Sequence, residues 1–367
     1  MGPPRTLPQH YFVSPEIFAK ERDKIFSRRW VLIGHESEIP CRGDYFIIEV
    51  AGESLIVIRS SPKSDNCSEG STIRAFYNVC RHRGTRLIKE KKGRLRAIQC
   101  PYHAWTYAPD GRLLGAPHME DVPGFQKTDY GLNSVEIGVW GGFIFTNLSH
   151  ASPSLEKWFA PLTGKFSHWN LPQLRSARRI EYDVRANWKL IFENYSECYH
   201  CPGVHPALSK LTPYDSAVND LDEGPFLGGF MPIKGGHSLT MSGNACALPV
   251  GDIRAEDHHR VFYYSIFPNM LLSMHPDYVM VHQLWPQTPD RTLILCDWFF
   301  HPAAASDRGY NPEDAVAFWD MTNKQDWHVC ELSQQGISSR AYKPGPYSSR
   351  ESIPAAWDRE YLRQMDD

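Results

Sequence analysis

Two short pairs of metal-binding side chains stand in the first half of the sequence. Cys80 and His82 are separated by one residue, Cys100 and His103 by two, and seventeen residues lie between the pairs. Two loops that each carry one thiolate and one imidazole can hold a single metal centre between them. The ligand types allow a zinc site, but a zinc finger usually pairs cysteine with cysteine and histidine with histidine. The mixed pairs therefore favour an iron–sulfur centre, with zinc as the alternative.

A second group of possible ligands lies near the middle of the chain. Residues 187–200 predict a helix on which Glu197 and His200, three residues apart, share one face. His205 follows five residues later, beyond a Pro-Gly break. Two neutral imidazoles and one carboxylate leave open positions on iron(II), and this ligand set serves oxygen activation. The carboxylate has to come from a different part of the chain.

The elements around the first group predict a helix followed by a small β domain. Residues 14–30 have the pattern of an amphipathic helix, with Ser14 as its N-cap and Pro15 at its first position. Residues 31–148 contain short β-rich runs that are separated by turn residues. The polar stretch 61–71 is typical of a mobile loop.

The second half predicts more strands and a long helix. Residues 180–186 are strand-like, and four further β-rich runs fall between residues 261 and 300. A helix is expected to begin after Asn311 as its N-cap and to run to about Gln334, with Gly336 as its stop signal.

Length, composition and charge exclude several classes of protein. The chain has 367 residues, enough for two domains, and its hydrophobic fraction of 42% is that of a globular protein. A net charge of −3 gives no reason to expect nucleic acid or an anionic membrane as a partner. Because no apolar run is long enough for a transmembrane helix or a signal peptide, we expect a cytoplasmic protein. The nine cysteines are scattered and odd in number, which favours thiols and metal ligands over disulfides.

The segments YNVCRHRGTRL, CPYHAWTY and FENYSECYHCPGVHPAL resemble those of the Rieske non-heme iron oxygenases, and the resemblance covers nearly the whole chain. It implies that Cys80 and Cys100 hold one iron of a [2Fe–2S] cluster, and that His82 and His103 hold the other. The residues within or beside this motif that would tune the cluster potential are Arg81, Arg83, Tyr102 and Trp105.

The resemblance also supplies the missing carboxylate. The segment TNKQDWHVCELSQQG matches the part of the family that carries the third ligand of a mononuclear Fe(2+), and Asp326 falls at the matching position. Asp320 and Glu331 lie on the same helix and are the alternatives.

In this family an acidic residue three before the first histidine ligand bridges the two metal centres across a subunit boundary. Glu197 has that position here, where aspartate is the commonest residue, and a glutamate resembles the branch that acts on quaternary ammonium compounds.

Cys198 and Cys201 flank His200 and spell C-x-x-C, a pattern found in redox dithiols and in half of a zinc site. Because the chain has no second such pair to complete a zinc site, we interpret both as packed thiols near the iron.

Together with the elements above, the resemblance implies an α+β fold. We expect a small antiparallel β Rieske [2Fe–2S] domain at residues 36–152. A larger catalytic domain, with an antiparallel sheet flanked by helices, would cover residues 153–367. Residues 1–35 would form an N-terminal helical segment that packs on the catalytic domain. The family further implies a homotrimer.

The expected function is oxygenation of a small molecule by dioxygen. The sequence has no Gly-rich dinucleotide motif, so a separate flavin-containing, NAD(P)H-dependent reductase must supply the electrons. The resemblance favours N-demethylation of a betaine-like quaternary ammonium compound. The α subunit of an aromatic-ring hydroxylating dioxygenase is the alternative. A Rieske electron-transfer protein without oxygenase activity is a more distant one.

Overall fold

The computed structural model describes residues 4–60, 72–149 and 153–366, so the expected loop at 61–71 lies outside the described residues. The chain divides into two compact units, one formed by Phe26–Trp158 and the other by Met1–Ile25 together with Phe159–Asp367. Both units combine helices or turns with antiparallel sheets, which confirms the expected α+β class.

The unit Phe26–Trp158 is built from short antiparallel strands. Seven of them form one sheet in the order β1-β10-β9-β4-β3-β2-β5, and β6, β7 and β8 form a second, small sheet. In chain order the strands are β1 Val31–His35, β2 Asp44–Val50, β3 Glu53–Ser60, β4 Thr72–Tyr77, β5 Lys92–Arg94, β6 Ile98–Gln99, β7 Thr106–Tyr107, β8 Leu113–Gly115, β9 Ser134–Trp140 and β10 Phe143–Asn147.

The first strand differs from the expected N-terminal segment 1–35. Val31–His35 pairs antiparallel with Phe143–Asn147 and is buried throughout, so these residues are part of the β unit. The helical part of the segment ends earlier, because its last turn is the π-helical stretch Arg22–Phe26.

The larger unit holds one antiparallel sheet in the order β11-β17-β16-β15-β14-β13-β12. Its strands are β11 Arg175–Val184, β12 Val218–Leu221, β13 Phe226–Pro232, β14 Arg260–Ile266, β15 Met270–Met274, β16 Val279–Thr288 and β17 Arg291–Phe300. Strand β11 confirms the strand expected at 180–186, and β14 to β17 confirm the four β-rich runs. The central strands β15 and β16 are almost wholly buried, which explains their nearly continuous apolar sequence.

Helices accompany this sheet. They are α1 His10–Val13, α2 Pro15–Glu21, α4 Trp188–Tyr195, α5 Cys201–Val204, α6 Pro206–Leu211, α7 Pro312–Ile337 and α8 Ser352–Asp366, while α3 Leu155–Trp158 belongs to the smaller unit. None of the helices in the described part of the chain has the length and apolarity that crossing a membrane requires.

The sequence predicted the first residues of these helices correctly and their last residues less well. Ser14 caps α2, since its hydroxyl accepts the N–H of Ile17 at 3.1 Å. Helix α7 begins at Pro312 as expected, but Gly336 does not stop it. The N–H of Ser338 still donates to the carbonyl of Gln334 at 3.0 Å, so the helix extends to Ile337.

Candidate metal sites

The first pair of expected ligands lies on a tight loop that follows β4. The N–H of Cys80 donates to the carbonyl of Thr85 at 2.9 Å, and the N–H of Gly84 donates to the carbonyl of Cys80 at 3.0 Å. Gly84 has a φ of +72°, a left-handed conformation that glycine adopts without steric cost. The loop therefore turns sharply and holds Cys80 and His82 close together.

The second pair lies on a loop of the same shape between β6 and β7. The N–H of Cys100 donates to the carbonyl of Trp105 at 2.8 Å, and the N–H of Ala104 donates to the carbonyl of Cys100 at 3.1 Å. Ala104 takes the place that Gly84 has in the first loop, and its φ is also positive, at +58°. A side chain makes this conformation costly, so its presence at an alanine points to a functional constraint on the loop.

The ligand side chains are arranged with the cysteines inside and the histidines outside. Cys80 and Cys100 are each 2% exposed and belong to the apolar core of the unit. His82 is exposed, and its ring centre lies 4.7 Å from that of His103. Nδ1 of His103 is a buried atom without a hydrogen-bond partner in the described chain, which leaves its lone pair available to a metal.

The spread of these four residues distinguishes a cluster from a single ion. Zinc binds its ligands at about 2.0–2.3 Å, so its ligand atoms lie within about 4.6 Å of one another. Within the described ranges, only His200, His205 and Asp326 place three ligand atoms within 4.8 Å of each other. A two-iron cluster is wider, with thiolates on one iron and imidazoles on the other. The loop residues therefore fit a Rieske cluster better than zinc.

Aromatic side chains surround this site. The ring of Trp105 stacks on His82 with centres 4.9 Å apart, and the guanidinium of Arg83 lies 5.3 Å from the ring centre of Tyr102. Arg81 makes its contact outside the four ligands: its guanidinium donates to Asn133 Oδ1 at 2.6 Å. These contacts fix the loop tips.

Tyr107 is a contact that the sequence reasoning missed. Its hydroxyl lies 3.3 Å from Sγ of Cys80 and accepts the N–H of Arg81 at 3.1 Å. Burial and the bond to Cys80 raise the pKa of Tyr107, so the hydroxyl keeps its proton and can donate a hydrogen bond to a thiolate. Only the distance of 27 residues between Cys80 and Tyr107 hid this pair from a motif search.

Replacing Tyr107 by Phe is expected to lower the reduction potential of the cluster. A hydrogen bond to a ligand sulfur favours the more negative, reduced state. A bond worth about 1 kcal/mol more in that state shifts a one-electron couple by about 40 mV. A redox titration followed by electron paramagnetic resonance measures the shift. Tyr130→Phe removes a hydroxyl from the same core and is the control. An unchanged potential in Tyr107→Phe would show that the hydroxyl does not act on the cluster.

The second group of ligands follows α4, but not on a helix. Asn187 caps α4 by accepting the N–H of Lys189 at 3.0 Å. The helix ends at Tyr195, so the helix expected to reach residue 200 is wrong in its last turn. The backbone N–H of Ser196 still donates to the carbonyl of Phe192 at 3.1 Å, and the Ser196 hydroxyl adds a second bond of 2.6 Å to the same carbonyl, which is common where helices bend or end.

A carboxylate organises the turn that replaces this helical segment. Glu197 accepts the backbone N–H groups of Tyr199 and His200 through one oxygen. Its other oxygen, Oε1, lies 2.6 Å from Nδ1 of His200. Glu197 thus orients the imidazole of His200, and Nε2 is left to face the centre of the site.

Three ligand atoms converge at that centre. Nε2 of His200 lies 3.2 Å from Nε2 of His205 and 3.2 Å from Oδ1 of Asp326. Nε2 of His205 lies 2.8 Å from the same carboxylate oxygen. Nδ1 of His205 is 2.8 Å from Oε1 of Gln325, which fixes its tautomer as Glu197 fixes that of His200. Two oriented imidazoles and one carboxylate fit an iron(II) site with open positions.

The competing carboxylates on α7 are engaged elsewhere. Asp320 accepts the hydroxyl of Tyr182 at 3.0 Å and the ammonium of Lys324 at 2.6 Å. Glu331 accepts the backbone N–H of Arg185 at 3.0 Å. The structure therefore brings together Asp326, and neither alternative, with the two histidines.

Iron(II) or cobalt(II) binding to the metal-free protein is expected to release a proton near neutral pH. Burial lowers the pKa of His200, but its bonds to Asp326 and Glu197 outweigh burial and raise the pKa to about 10. Below that pH the imidazole carries a proton, and a metal needs the neutral form. Apparent affinity should therefore rise about tenfold per pH unit between pH 7 and 9. Calorimetry in buffers of different ionisation enthalpy counts the released proton, and an affinity independent of pH would contradict this assignment.

The cysteines beside His200 differ from the expectation. Cys198 and Cys201 form a disulfide, so their interpretation as packed thiols is wrong. The bond spans the turn that carries His200, and both residues line the cavity next to the metal-binding atoms. The expectation rested on the usual state of cysteines in a reducing compartment, whereas a tight C-x-x-C turn brings the two sulfurs together locally.

The cavity beside this site measures about 110 Å³. Part of its wall is aromatic: the ring of Tyr263 lies 5.9 Å from that of Tyr195 and 6.3 Å from that of Trp319, and all three line the cavity. No lysine or arginine is among the described side chains of its lining. Such a wall attracts a quaternary ammonium group through cation–π contacts, and it also accommodates an aromatic ring.

Comparison with known proteins gives a consistent assignment for both units. The family model for the Rieske [2Fe-2S] domain matches residues 29–126. The family model for the ring hydroxylating alpha subunit (catalytic domain) matches residues 171–367, which is more than half of the chain.

Individual relatives extend over almost the whole chain. The glycine betaine monooxygenase oxygenase subunit of Chromohalobacter salexigens is 34% identical, over 94% of this chain and 82% of the relative. The carnitine monooxygenase oxygenase subunit of Escherichia coli K12 is 28% identical, over 92% of this chain and 86% of the relative. The solved structure of a quaternary ammonium Rieske monooxygenase shares the fold with a TM-score of 0.81 at 24% identity, covering 99% of this chain and 96% of that one.

Proposed function

Since the chain belongs to the Rieske non-heme iron oxygenases, we propose that it is the oxygenase component of a monooxygenase that removes a methyl group from a betaine-like quaternary ammonium compound. It is an oxidoreductase that carries a Rieske [2Fe–2S] cluster and a mononuclear iron. The observation that carries the proposal is the convergence of His200, His205 and Asp326 on the edge of a cavity with an aromatic wall.

We assign the metal ligands from the geometry above. Cys80, His82, Cys100 and His103 would hold the cluster, and its histidine side lies toward the surface of the unit. His200, His205 and Asp326 would hold the mononuclear iron, which when bound activates dioxygen with electrons from the cluster.

The aromatic wall supports a cationic substrate. A quaternary ammonium group has no N–H to donate, so it is held by the ring faces of Tyr195, Tyr263 and Trp319 and by burial of its methyl groups. Since no arginine or lysine is described in the lining, a carboxylate on the same molecule would meet neutral donors such as Asn219. The relatives named as glycine betaine and carnitine monooxygenases act on compounds of this class.

The proposed reaction balances as a monooxygenation. One oxygen atom enters a C–H bond of an N-methyl group, and the other leaves as water with two electrons and two protons. The N-hydroxymethyl product then loses formaldehyde: its hydroxyl proton leaves to solvent, the C=O bond forms, and the C–N bond breaks with the electron pair on nitrogen. The remaining amine has one methyl group fewer.

Electrons come from a separate reductase, as the designation of the relatives as oxygenase subunits implies. We propose that this partner contains flavin and uses NAD(P)H, which would place both proteins in the cytoplasm.

We further propose a homotrimer in which the cluster of one subunit transfers electrons to the iron of the next through Glu197. Light scattering on the purified protein measures the assembly, and a monomer would contradict the trimer.

Formaldehyde release tests the proposed function. We expect the reduced, iron-loaded protein to form formaldehyde in a single turnover with dioxygen and at least one betaine from a panel of trimethylammonium carboxylates. Chemical reduction makes this assay independent of the reductase. If no betaine yields formaldehyde and an aromatic hydrocarbon yields a cis-dihydrodiol, the protein is a ring-hydroxylating dioxygenase. If neither forms while the cluster cycles normally, an electron carrier is the better description.

A further inference from the structure

Two carboxyl groups that the proposed chemistry does not yet use lie together behind the candidate iron site. Glu193 is on α4 and Asp358 on α8, within hydrogen-bond reach of each other. Oε1 of Glu193 and Oδ1 of Asp358 are both buried and, among the described residues, neither has a hydrogen-bond partner. Ionised carboxylates can only accept, so a proton on one of the two groups supplies the missing donor.

Electrostatics supports a shared proton. Burial and the neighbouring carboxyl group of Asp358 raise the pKa of Glu193 well above its usual value, and burial raises the pKa of Asp358 to about 7. Two buried carboxyl groups at this separation cannot both ionise at neutral pH. The hydroxyl of Tyr347 donates to Oδ2 of Asp358 at 2.7 Å and so favours the charge on that residue.

The charged groups around the pair do not cancel the rise in the pKa values of Glu193 and Asp358. The cation with the largest lowering effect on the pKa values of the pair is the ammonium of Lys189, which is buried on α4 and lies 2.5 Å from Oε1 of Glu21. Its charge is therefore already balanced. The other titratable or charged groups around the pair are Cys330 on α7, Tyr342, Tyr347 and Glu351 on the segment before α8, and Arg359 on α8.

A cavity leads from Glu193, the member of the pair that lines it, toward the candidate iron site. It measures about 210 Å³, and its lining includes Glu193, Tyr347 and Glu351 as well as Glu197 and His200. That volume holds several water molecules, and the polar lining offers them hydrogen bonds.

The two cavities share part of a wall. Asn194, Glu197 and His200 line both this second cavity and the aromatic one. A single shared side chain can therefore separate water in the second cavity from the aromatic cavity, where the reaction occurs.

The reaction needs protons, and several hydroxyl groups of the aromatic cavity are already engaged. Tyr195 is bonded to Ser273 at 2.8 Å, and Ser196 to Ser265 at 2.7 Å. The hydroxyl of Thr322 donates to the carbonyl of Phe318 at 2.9 Å. Each turnover of the proposed monooxygenation nevertheless consumes two protons.

We propose that Glu193 and Asp358 hold a proton between them and deliver it, through water in the second cavity and past Asn194 and Glu197, to the aromatic cavity. This inference rests on the proposed function, because only an oxygen-reducing reaction draws protons there. The donor loses its proton to the water chain and regains one from solvent by way of Glu351 and Tyr347. General acids of this kind contribute about 10²–10⁴-fold to a rate.

The first test does not depend on activity. Infrared spectra of the purified protein with its metals bound, at pH 8, should show the C=O stretch of a protonated carboxylic acid that disappears in Glu193→Gln. The matched control is Glu360→Gln, which removes a buried carboxylate of α8 that is bonded to Arg363 instead. This control should keep the signal. A wild-type protein without any such signal at pH 8 would overturn the proposal, and this readout remains available even if Glu193→Gln does not fold.

The second test uses the iron-loaded enzyme. Glu193→Gln should lower kcat at least about tenfold, leave KM for the substrate within twofold, and release more hydrogen peroxide per NAD(P)H. Acetate or imidazole small enough to enter the cavity should restore part of kcat. If Glu193→Gln matches the wild type, or loses activity without rescue and together with its metals, the pair is structural and the proposal fails. A wild type that forms no formaldehyde from any betaine refutes the proposed function instead. In that case any substrate that drives oxygen uptake can replace the betaine in this comparison.

Discussion

Replacing His205 by Ala is expected to abolish substrate oxidation while leaving the visible spectrum of the cluster intact. His205 is 2% exposed and supplies one of the three converging ligand atoms. Loss of an outer partner of a metal ligand already costs about 10–100-fold in affinity or activity, so loss of a ligand should exceed about 100-fold. Metal analysis should find cluster iron and acid-labile sulfide unchanged and the mononuclear iron missing.

Two further variants provide an intermediate loss of activity and a control with which this result can be compared. Gln325→Ala removes only the oxygen that lies 2.8 Å from Nδ1 of His205, and we expect a loss of about 10–100-fold. His259→Ala changes an exposed histidine of the same unit and should behave as the wild type. If His205→Ala kept its turnover, the assignment of the mononuclear site would be wrong.

Ligand types and local spacing could be predicted because they are encoded in short segments. The pairs Cys80/His82 and Cys100/His103 each occupy one loop, and alternating or continuous apolar runs marked strands such as β14 to β17. Asp326 lies 121 residues from His205, and only the resemblance to a family connected them before the structure did.

The missed features depend on contacts between distant residues or on competition within a turn. Tyr107 reaches Cys80 across 27 residues, and Gln325 reaches His205 across 120. No spacing rule predicts either contact. The end of α4 was missed for a different reason: residues 196–200 are compatible with a helix, but the carboxylate of Glu197 accepts the backbone N–H groups of Tyr199 and His200 instead of leaving them to helical carbonyls.

The turn that Glu197 forms in place of a helix has a functional consequence. On a continuous helix, Glu197 and His200 would be neighbours on an exposed face, and their contact would be weak and solvated. In the observed turn, the two backbone N–H groups fix one carboxylate oxygen, and the other is aimed at Nδ1 of His200. The side chain of Glu197 is 12% exposed, so the bond is partly shielded from water.

Replacing Glu197 by Gln is therefore expected to lower turnover at least about 100-fold while both metal centres remain loaded, since it removes an outer partner of a ligand together with its charge. The amide of glutamine is a weaker acceptor than a carboxylate, so it would orient His200 less strictly and would not balance the charge of a proton or metal there. In the proposed trimer it would also break the bridge to the neighbouring cluster. Rapid-mixing spectroscopy measures the decisive step, which is oxidation of a pre-reduced cluster after substrate and dioxygen are added.

Comparison with Glu197→Asp separates the charge from the reach of the side chain. Aspartate keeps the negative charge but is one methylene shorter, so we expect it to retain the metals and recover part of the cluster oxidation rate. A glutamine variant as fast as the wild type would show that neither the charge nor the bond to His200 limits electron transfer. If the aspartate variant is as slow as the glutamine variant, the 2.6 Å contact between Oε1 and Nδ1 matters more than the charge itself. In either result, His205→Ala differs from both variants because it alone loses the mononuclear iron.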